Sequence, residues 1–185
     1  NFIFQRAKGL GQSAGSLNID KLYATHWLPL DGSFWQTPAS RGRLFRPRLV
    51  WMLTDHLSMH LADLVSVDGL FDTYRKWVLT QQPFASTEDE LKAISATAAI
   101  ERRLFEQSKD DTLGQFGRFA EAFDVSTAMP LVIYLANAIS DEKALADALA
   151  SLKSYILRRD VCGLTTKNYN RFFVGTIHWL RKAEG

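Results

Sequence analysis

Apolar residues recur at intervals of three and four along most of the chain, and the strict alternation of a half-buried strand is hard to find. The clearest case lies near the C-terminus. Leu145, Leu149, Leu152 and Ile156 fall on one stripe of a helix that the spacing starts near Ser140. Arg158 and Arg159 occupy its last turn, where cations interact favourably with unsatisfied carbonyls. Gly163 follows and can take the left-handed conformation that closes many helices. A second helix then opens at a cap supplied by Thr165 or Thr166, with Tyr169, Phe172 or Phe173, Ile177 and Leu180 as its apolar stripe. The pair reads as an αα-hairpin, which in most helical proteins is a packing device and not a DNA-reading motif.

Five prolines, at positions 29, 38, 47, 83 and 130, divide the rest into segments of helical spacing. Ser16 is placed to cap a first helix carrying Leu17, Leu22, Tyr23 and Trp27, which Pro29 stops. The next stretch, "LPLDGSFWQTPASRGRLF", looks irregular, with turn chemistry at Asp31-Gly32 and Trp35 tucked inward. Pro47 suits the first position of a helix with the stripe Val50, Leu53, Leu57, Leu61 and Leu64. Ser66 is placed to cap a third helix that turns Leu70, Phe71, Tyr74, Trp77 and Val78 inward. Thr87 to Glu90 spells the T-x-x-E capping box, predicting a long helix from Glu88 to about Ser108. Shorter helices follow over 113–123 and 131–139. The expected fold is therefore all-α, a single domain of seven or eight helices with no sheet and no repeat at solenoid spacing.

Composition narrows the class without naming a reaction. At 185 residues the chain can bury one sizeable core or two small ones that share an interface. The 46% hydrophobic and 23% charged content is that of a folded protein, not a disordered one. Net charge is only +2, so any nucleic-acid face has to come from local clustering. A lone cysteine, Cys162, excludes an internal disulfide and a thiolate zinc site, and fits a reducing compartment. The longest apolar run, "MPLVIYLANAI", falls short of the roughly 20 residues of a membrane span. The first residues lack the pattern of a signal peptide, which makes a cytoplasmic location the expectation. The chain opens on Asn1 and not on methionine, which suggests a piece of a longer protein.

Several side chains are candidates for chemistry. Arg41, Arg43, Arg46 and Arg48 form the densest basic cluster, at the start of a helix, where guanidinium forks and free N–H groups suit phosphate. The plainer alternative is a set of surface ion pairs with acids such as Asp63, Asp68 or Asp72. His56 and His60 stand one helical turn apart beside Asp55 and Asp63, a spacing that zinc helices use. The glutamate of an H-E-x-x-H motif is missing, so no metal site is assigned. Arg158 and Arg159 sit at a helix C-terminus, a poor place for an anion, and pairing of at least one with a buried acid is expected. Cys162 reads as a small packed residue, and Trp35, Trp51, Trp77 and Tyr74 read as core. No Gly-rich phosphate loop, G-x-S-x-G or triad is present.

Taken together, "LYATHWLPLDGSFW", "GRLFRPRLVWMLTDHL", "VSVDGLFDTYRKWV" and "LKSYILRRDVCGLTTKNYNRFF" resemble the helical middle region of the GmrSD-type restriction endonucleases, defence proteins of bacteria and archaea. The last stretch is the most specific. The resemblance marks Trp27, Pro29, Trp35, Arg158, Arg159, Cys162, Gly163 and Asn170 as structural motif positions. It implies a longer polypeptide with an N-terminal ParB/sulfiredoxin-like domain bearing a D-G-Q-Q-R motif and, in many members, a C-terminal HNH nuclease. Residues 1–15 would then be the tail of, or link from, the first domain, and residues 16–185 the helical domain. Neither catalytic motif occurs in this sequence, so no catalytic residue, cofactor or metal is carried over to it. The longer protein would use a nucleoside triphosphate and a divalent metal. The implied partners are the flanking domains and DNA, with a homo-oligomer as a further candidate and no membrane. Two rivals stand beside this expectation: a protein-interaction or dimerisation module, and a small metal-dependent enzyme built on His56 and His60.

Overall fold

The computed structural model describes residues 2–9 and 19–184. The expected cap at Ser16 and the position of Leu17 lie outside them. Helix α1 covers Phe2–Gly9 and α2 covers Ile19–Leu22. A wide π-type turn at Tyr23–Trp27 and a tight 3-10 turn at Leu28–Leu30, which contains Pro29, lead to α3, Ser33–Gln36. Strands β1, Pro38–Arg41, and β2, Leu44–Pro47, come next, followed by α4, Arg48–Leu61. The remaining helices are α5 (Leu70–Gln81), α6 (Thr87–Glu106), α7 (Thr112–Ala122), α8 (Met129–Ala138), α9 (Glu142–Val161) and α10 (Tyr169–Glu184). Of the ten described helices, α4 to α10 correspond to seven of the expected ones, the expected first helix is reduced to the four-residue α2 and the π-type turn after it, and α1 and α3 are additional.

The β-hairpin corrects the expectation of no sheet. Pro38 faces Pro47 and Arg41 faces Leu44 in antiparallel register, and Gly42 turns the tip with a φ of 57°. Strands of four residues are too short to display an alternating pattern, and a proline at each open end frees the hairpin from any need for further pairing. Pro47 thus closes β2, and α4 begins one residue later.

Other local signals were displaced by tertiary packing. Ser86, not Thr87, caps α6: its Oγ accepts the Asp89 N–H at 3.1 Å and donates to the Asp89 carboxylate at 2.7 Å. Gly69, not Ser66, precedes α5, and Phe71, expected to face inward, is exposed. Helix α4 stops at Leu61 on a left-handed Ala62, which leaves Leu64 outside it and exposed. Helix α10 starts at Tyr169, beyond both threonines proposed as its cap. By contrast Leu145, Leu149, Leu152 and Ile156 are all buried, as are Tyr169, Phe173 and Ile177, so the C-terminal hairpin packs as its periodicity predicts.

The apolar residues form two cores. The first gathers Ile3 and Phe4 of α1, Trp35 of α3, Tyr74, Trp77 and Val78 of α5, and Leu91, Ile94 and Ala98 of α6. The second gathers Leu113 and Phe116 of α7, Leu131 to Ile133 of α8, the α9 stripe, and Tyr169, Phe173 and Ile177 of α10. Two helices serve both. Helix α4 gives Met52 and Leu57 to the first core and Met59 to the second, while α6 gives its first half to one and Leu104 to the other.

Candidate functional site

The four arginines of the basic cluster point in different directions. Arg41, the last residue of β1, turns into the protein, where its Nη1 donates to Asp55 Oδ2 at 2.5 Å and its Nη2 lies 3.6 Å from Glu101 Oε1. Its guanidinium also lies 5.0 Å from the Trp51 ring, and Trp51 Nε1 donates to the Ala39 carbonyl at 2.8 Å, tying the hairpin to α4. The three charged side chains are 12%, 7% and 1% exposed, so this is a largely buried cluster in which the cation is already engaged by its own acids. Burial alone would lower the Arg41 pKa, but the Asp55 and Glu101 charges outweigh it and raise it. Burial, and next to it the Asp55 charge, pushes Glu101 well above the usual carboxylate range and towards its neutral form.

Arg48 lies 4.5 Å from the Phe34 ring and 5.1 Å from that of Phe105. Arg46 pairs loosely with exposed Asp68 at 3.5 Å, a contact worth little in water. Arg43 stands exposed at the hairpin tip. A cleft of about 680 Å³ runs between the hairpin, α6 and α7, with Arg41, Arg48, Glu101 and Phe105 among its walls. The basic cluster stands out in the sequence, whereas Glu101 does not. Its signal is nevertheless legible: Glu101 continues the buried stripe Leu91, Ile94, Ala98 and Leu104 of α6, so an acid stands where the helix faces the core.

A second buried acid fixes α1. Glu90 is fully buried, accepts the Tyr74 hydroxyl at 2.5 Å and pairs with Arg6. Burial raises the Tyr74 pKa and lowers that of Arg6.

The two histidines of α4 lie inside the protein with ring centres 4.5 Å apart. The Thr97 hydroxyl donates to the Ala93 carbonyl, so His56 Nδ1 is the donor in its 2.8 Å contact with Thr97 Oγ1. His56 Nε2 is left without a partner, and His60 packs on Trp77 and Phe84. Among the described residues no group of three or more ligating side chains could hold a metal. Burial, then the neighbouring Arg181 charge, lowers the His60 pKa to about 4, and burial, then the neighbouring His60, holds that of His56 well below 6.5. The unfolded chain therefore takes up protons below pH 6.5 that the folded rings refuse, and stability falls from pH 6.5 towards pH 4. His60→Phe is expected to remove about 3 kcal/mol of that fall, measured as urea stability against pH. Parallel curves for the two proteins would contradict the buried neutral pair.

The C-terminal corner places the remaining motif residues. Arg159 lies 5.7 Å from the Tyr155 ring and 5.5 Å from that of Tyr169, and donates to the Thr165 carbonyl at 3.0 Å. Arg158 is exposed and donates to the Ser154 carbonyl. Neither meets a buried acid, which corrects that expectation: the corner holds its cation by aromatic rings and a carbonyl instead. Cys162 is exposed, not packed, because the chain has already left the α9 stripe there. Gly163 has the expected positive φ, 63°, and its N–H reaches the Asp160 carbonyl at 2.9 Å. Asn170 is exposed. At the other end of the chain, Trp35 is buried edge-on to Phe34, and Trp27 packs edge-on to Phe4.

No protein-family model, curated protein or solved structure matches this chain. Function therefore has to be argued from the arrangement itself. Among the described residues no helix is long and apolar enough to cross a membrane.

Proposed function

We propose that this chain is the helical connector of a GmrSD-type, nucleotide-dependent DNA restriction protein. The observation that supports a connector is the pair of cores spanned by α4 and α6, with α1 anchored in the first and α10 in the second. Arg181 of α10 donates to the last carbonyls of α4, those of Met59 and His60, at 2.9 Å each. A displacement of α1 is thereby passed through two packed helices to α10, as rigid elements and not as a soft chain. The chain contributes no hydrolytic step of its own in this reading, and nucleotide and metal belong to the flanking domains.

In the longer polypeptide, with DNA, divalent metal and nucleoside triphosphate, Arg181→Ala is expected to preserve folding and cleavage. The effect of nucleotide on cleavage should shrink by about fivefold or more. Unchanged nucleotide dependence would contradict the connector role. Absence of cleavage in the unaltered protein would contradict the family assignment itself.

A dimerisation module is the second reading, favoured by an apolar groove of about 560 Å³ beside Phe2, Trp27 and Phe71, the last of which is 59% exposed. A molecular mass in solution that rises with concentration and ignores DNA would favour it.

A further inference from the structure

The charges of this chain are unevenly distributed. Residues 150–183 hold seven Lys or Arg and a single acid, Asp160, a net +6 in a chain whose total is +2, so the remainder is net acidic. Elsewhere five of nine arginines find acids, Arg6 with Glu90, Arg41 with Asp55, Arg46 loosely with Asp68, Arg102 with Glu106 and Arg103 with Asp111. Among the described residues Arg43, Arg48, Arg75 and Arg118 make no ion pair. Within 150–183, by contrast, none of the described cations does: Lys153, Arg158, Arg159, Lys167, Arg171, Arg181 and Lys182 make no ion pair at all among the described residues.

Helix geometry arranges part of this charge. Arg171, Gly175, His178 and Lys182 recur at intervals of three and four, so they share one outward stripe of α10. All four are exposed, and a Cβ on Gly175 would meet nothing within 4 Å, so none of the described chain covers the stripe at its middle. The stripe is about 16 Å long, enough to reach several phosphates. Phe172 and Trp179 flank it, 44% and 65% exposed. Phe172 is held in a parallel stack on Tyr155, with centres 4.8 Å apart. At the head of the stripe, the α9–α10 corner adds exposed Arg158 and Lys167.

We propose that the outward face of α10 and the adjoining corner form a nucleic-acid-binding surface, with Arg158, Lys167, Arg171 and Lys182 on backbone phosphates and Phe172 and Trp179 against sugars or bases. Unpaired cations interleaved with exposed aromatic rings are what a polyanion of stacked bases requires. An anionic membrane is the less suited partner, because the apolar face of α10, formed by Tyr169, Phe173 and Ile177, is already buried in the second core and cannot insert. The inference rests on the connector reading, whose partner surface it names. It moves the phosphate contacts away from the hairpin, where Arg41 is buried in its own ion cluster.

The test is fluorescence anisotropy of the full chain with labelled single- and double-stranded DNA, titrated at several salt concentrations. Arg158→Ala/Arg171→Ala/Lys182→Ala is compared with the hairpin variant Arg43→Ala/Arg46→Ala, with circular dichroism melts showing that both remain folded. The corner variant should bind at least about tenfold more weakly, and its log–log salt dependence should flatten by about 2 to 3. The hairpin variant should bind as the unaltered chain does. A preference for one strand state over the other identifies the form bound and supports the surface either way. The proposal is overturned if the hairpin variant alone loses binding, if neither variant changes, if no DNA binds at low salt, or if phosphatidylserine vesicles capture the chain in preference to DNA. The Arg181→Ala comparison reads nucleotide coupling and not DNA affinity, so the connector role and this surface fail separately.

Discussion

Arg41→Met is expected to lower unfolding stability by about 3 to 5 kcal/mol, read from urea denaturation at neutral pH. The substitution keeps a long side chain over Trp51 but strips the neighbouring cation from two buried carboxyl groups, Asp55 and Glu101. The cost arises from what is left behind, an unpaired charge in a low-dielectric setting, more than from the missing attraction. Two companion variants separate these effects. Glu101→Gln imitates the neutral acid that burial and Asp55 favour, so it should cost about 1 kcal/mol or less. Adding Asp55→Leu to Arg41→Met should recover most of the stability, because the stranded charge is removed with its partner. A decrease below about 1 kcal/mol in Arg41→Met would mean that the cluster is hydrated and not a buried device.

Gly117→Ala should be comparably damaging, at about 3 kcal/mol or more. A Cβ at Gly117 would stand 2.0 Å from the Leu104 carbonyl oxygen, a backbone atom of α6 that no side-chain rotation can move. To admit the methyl group, α6 and α7 have to part. That opens the second core around Leu113, Phe116 and Ala120. Helix propensity alone predicts the opposite sign, since alanine in place of a mid-helix glycine is favourable by about 1 kcal/mol. Gly175→Ala in α10 supplies the control. With nothing within 4 Å of its Cβ, it should gain about 0.5 to 1 kcal/mol. Equal and favourable shifts at both glycines would show that α6 and α7 do not touch through their backbones.

How much of this was legible in the sequence depends on the range of the interaction. Period alone identified the inner faces of α9 and α10, because a stripe such as Leu145, Leu149, Leu152 and Ile156 is a property of one helix. The left-handed Gly163 was legible for the same reason. Ends and turns were less so. Ser86 and Thr87 are both good caps, and only the docking of Thr87 into the interior selects the serine. The hairpin carried no alternation to detect, and its prolines suggested a helix start as readily as a strand end.

The candidate sites divide along the same line. Four arginines within eight positions looked like a surface cluster, yet Arg41 is drawn inward by acids 14 and 60 residues away in α4 and α6. Nothing local announces such a pairing. The excess of positive charge over residues 150–183 is countable in the sequence, but the position of Arg158 and Arg159 at a helix C-terminus speaks against an anion there. Only the structure shows that these cations lack acids and that one face of α10 is uncovered.

The coupling of the two cores through α4 and α6 is the premise on which the connector reading depends. Amide hydrogen exchange by mass spectrometry tests it directly, comparing the unaltered chain with Arg41→Met in mild urea. Arg41 ties β1 to α4 and α6, the two helices that both cores share, so its removal should deprotect peptides of α5 in the first core and, to the same extent in free energy, those of α9 and α10 in the second. Exchange that accelerates in α5 while α9 and α10 keep their full protection would show two independent units, and the connector role would fall.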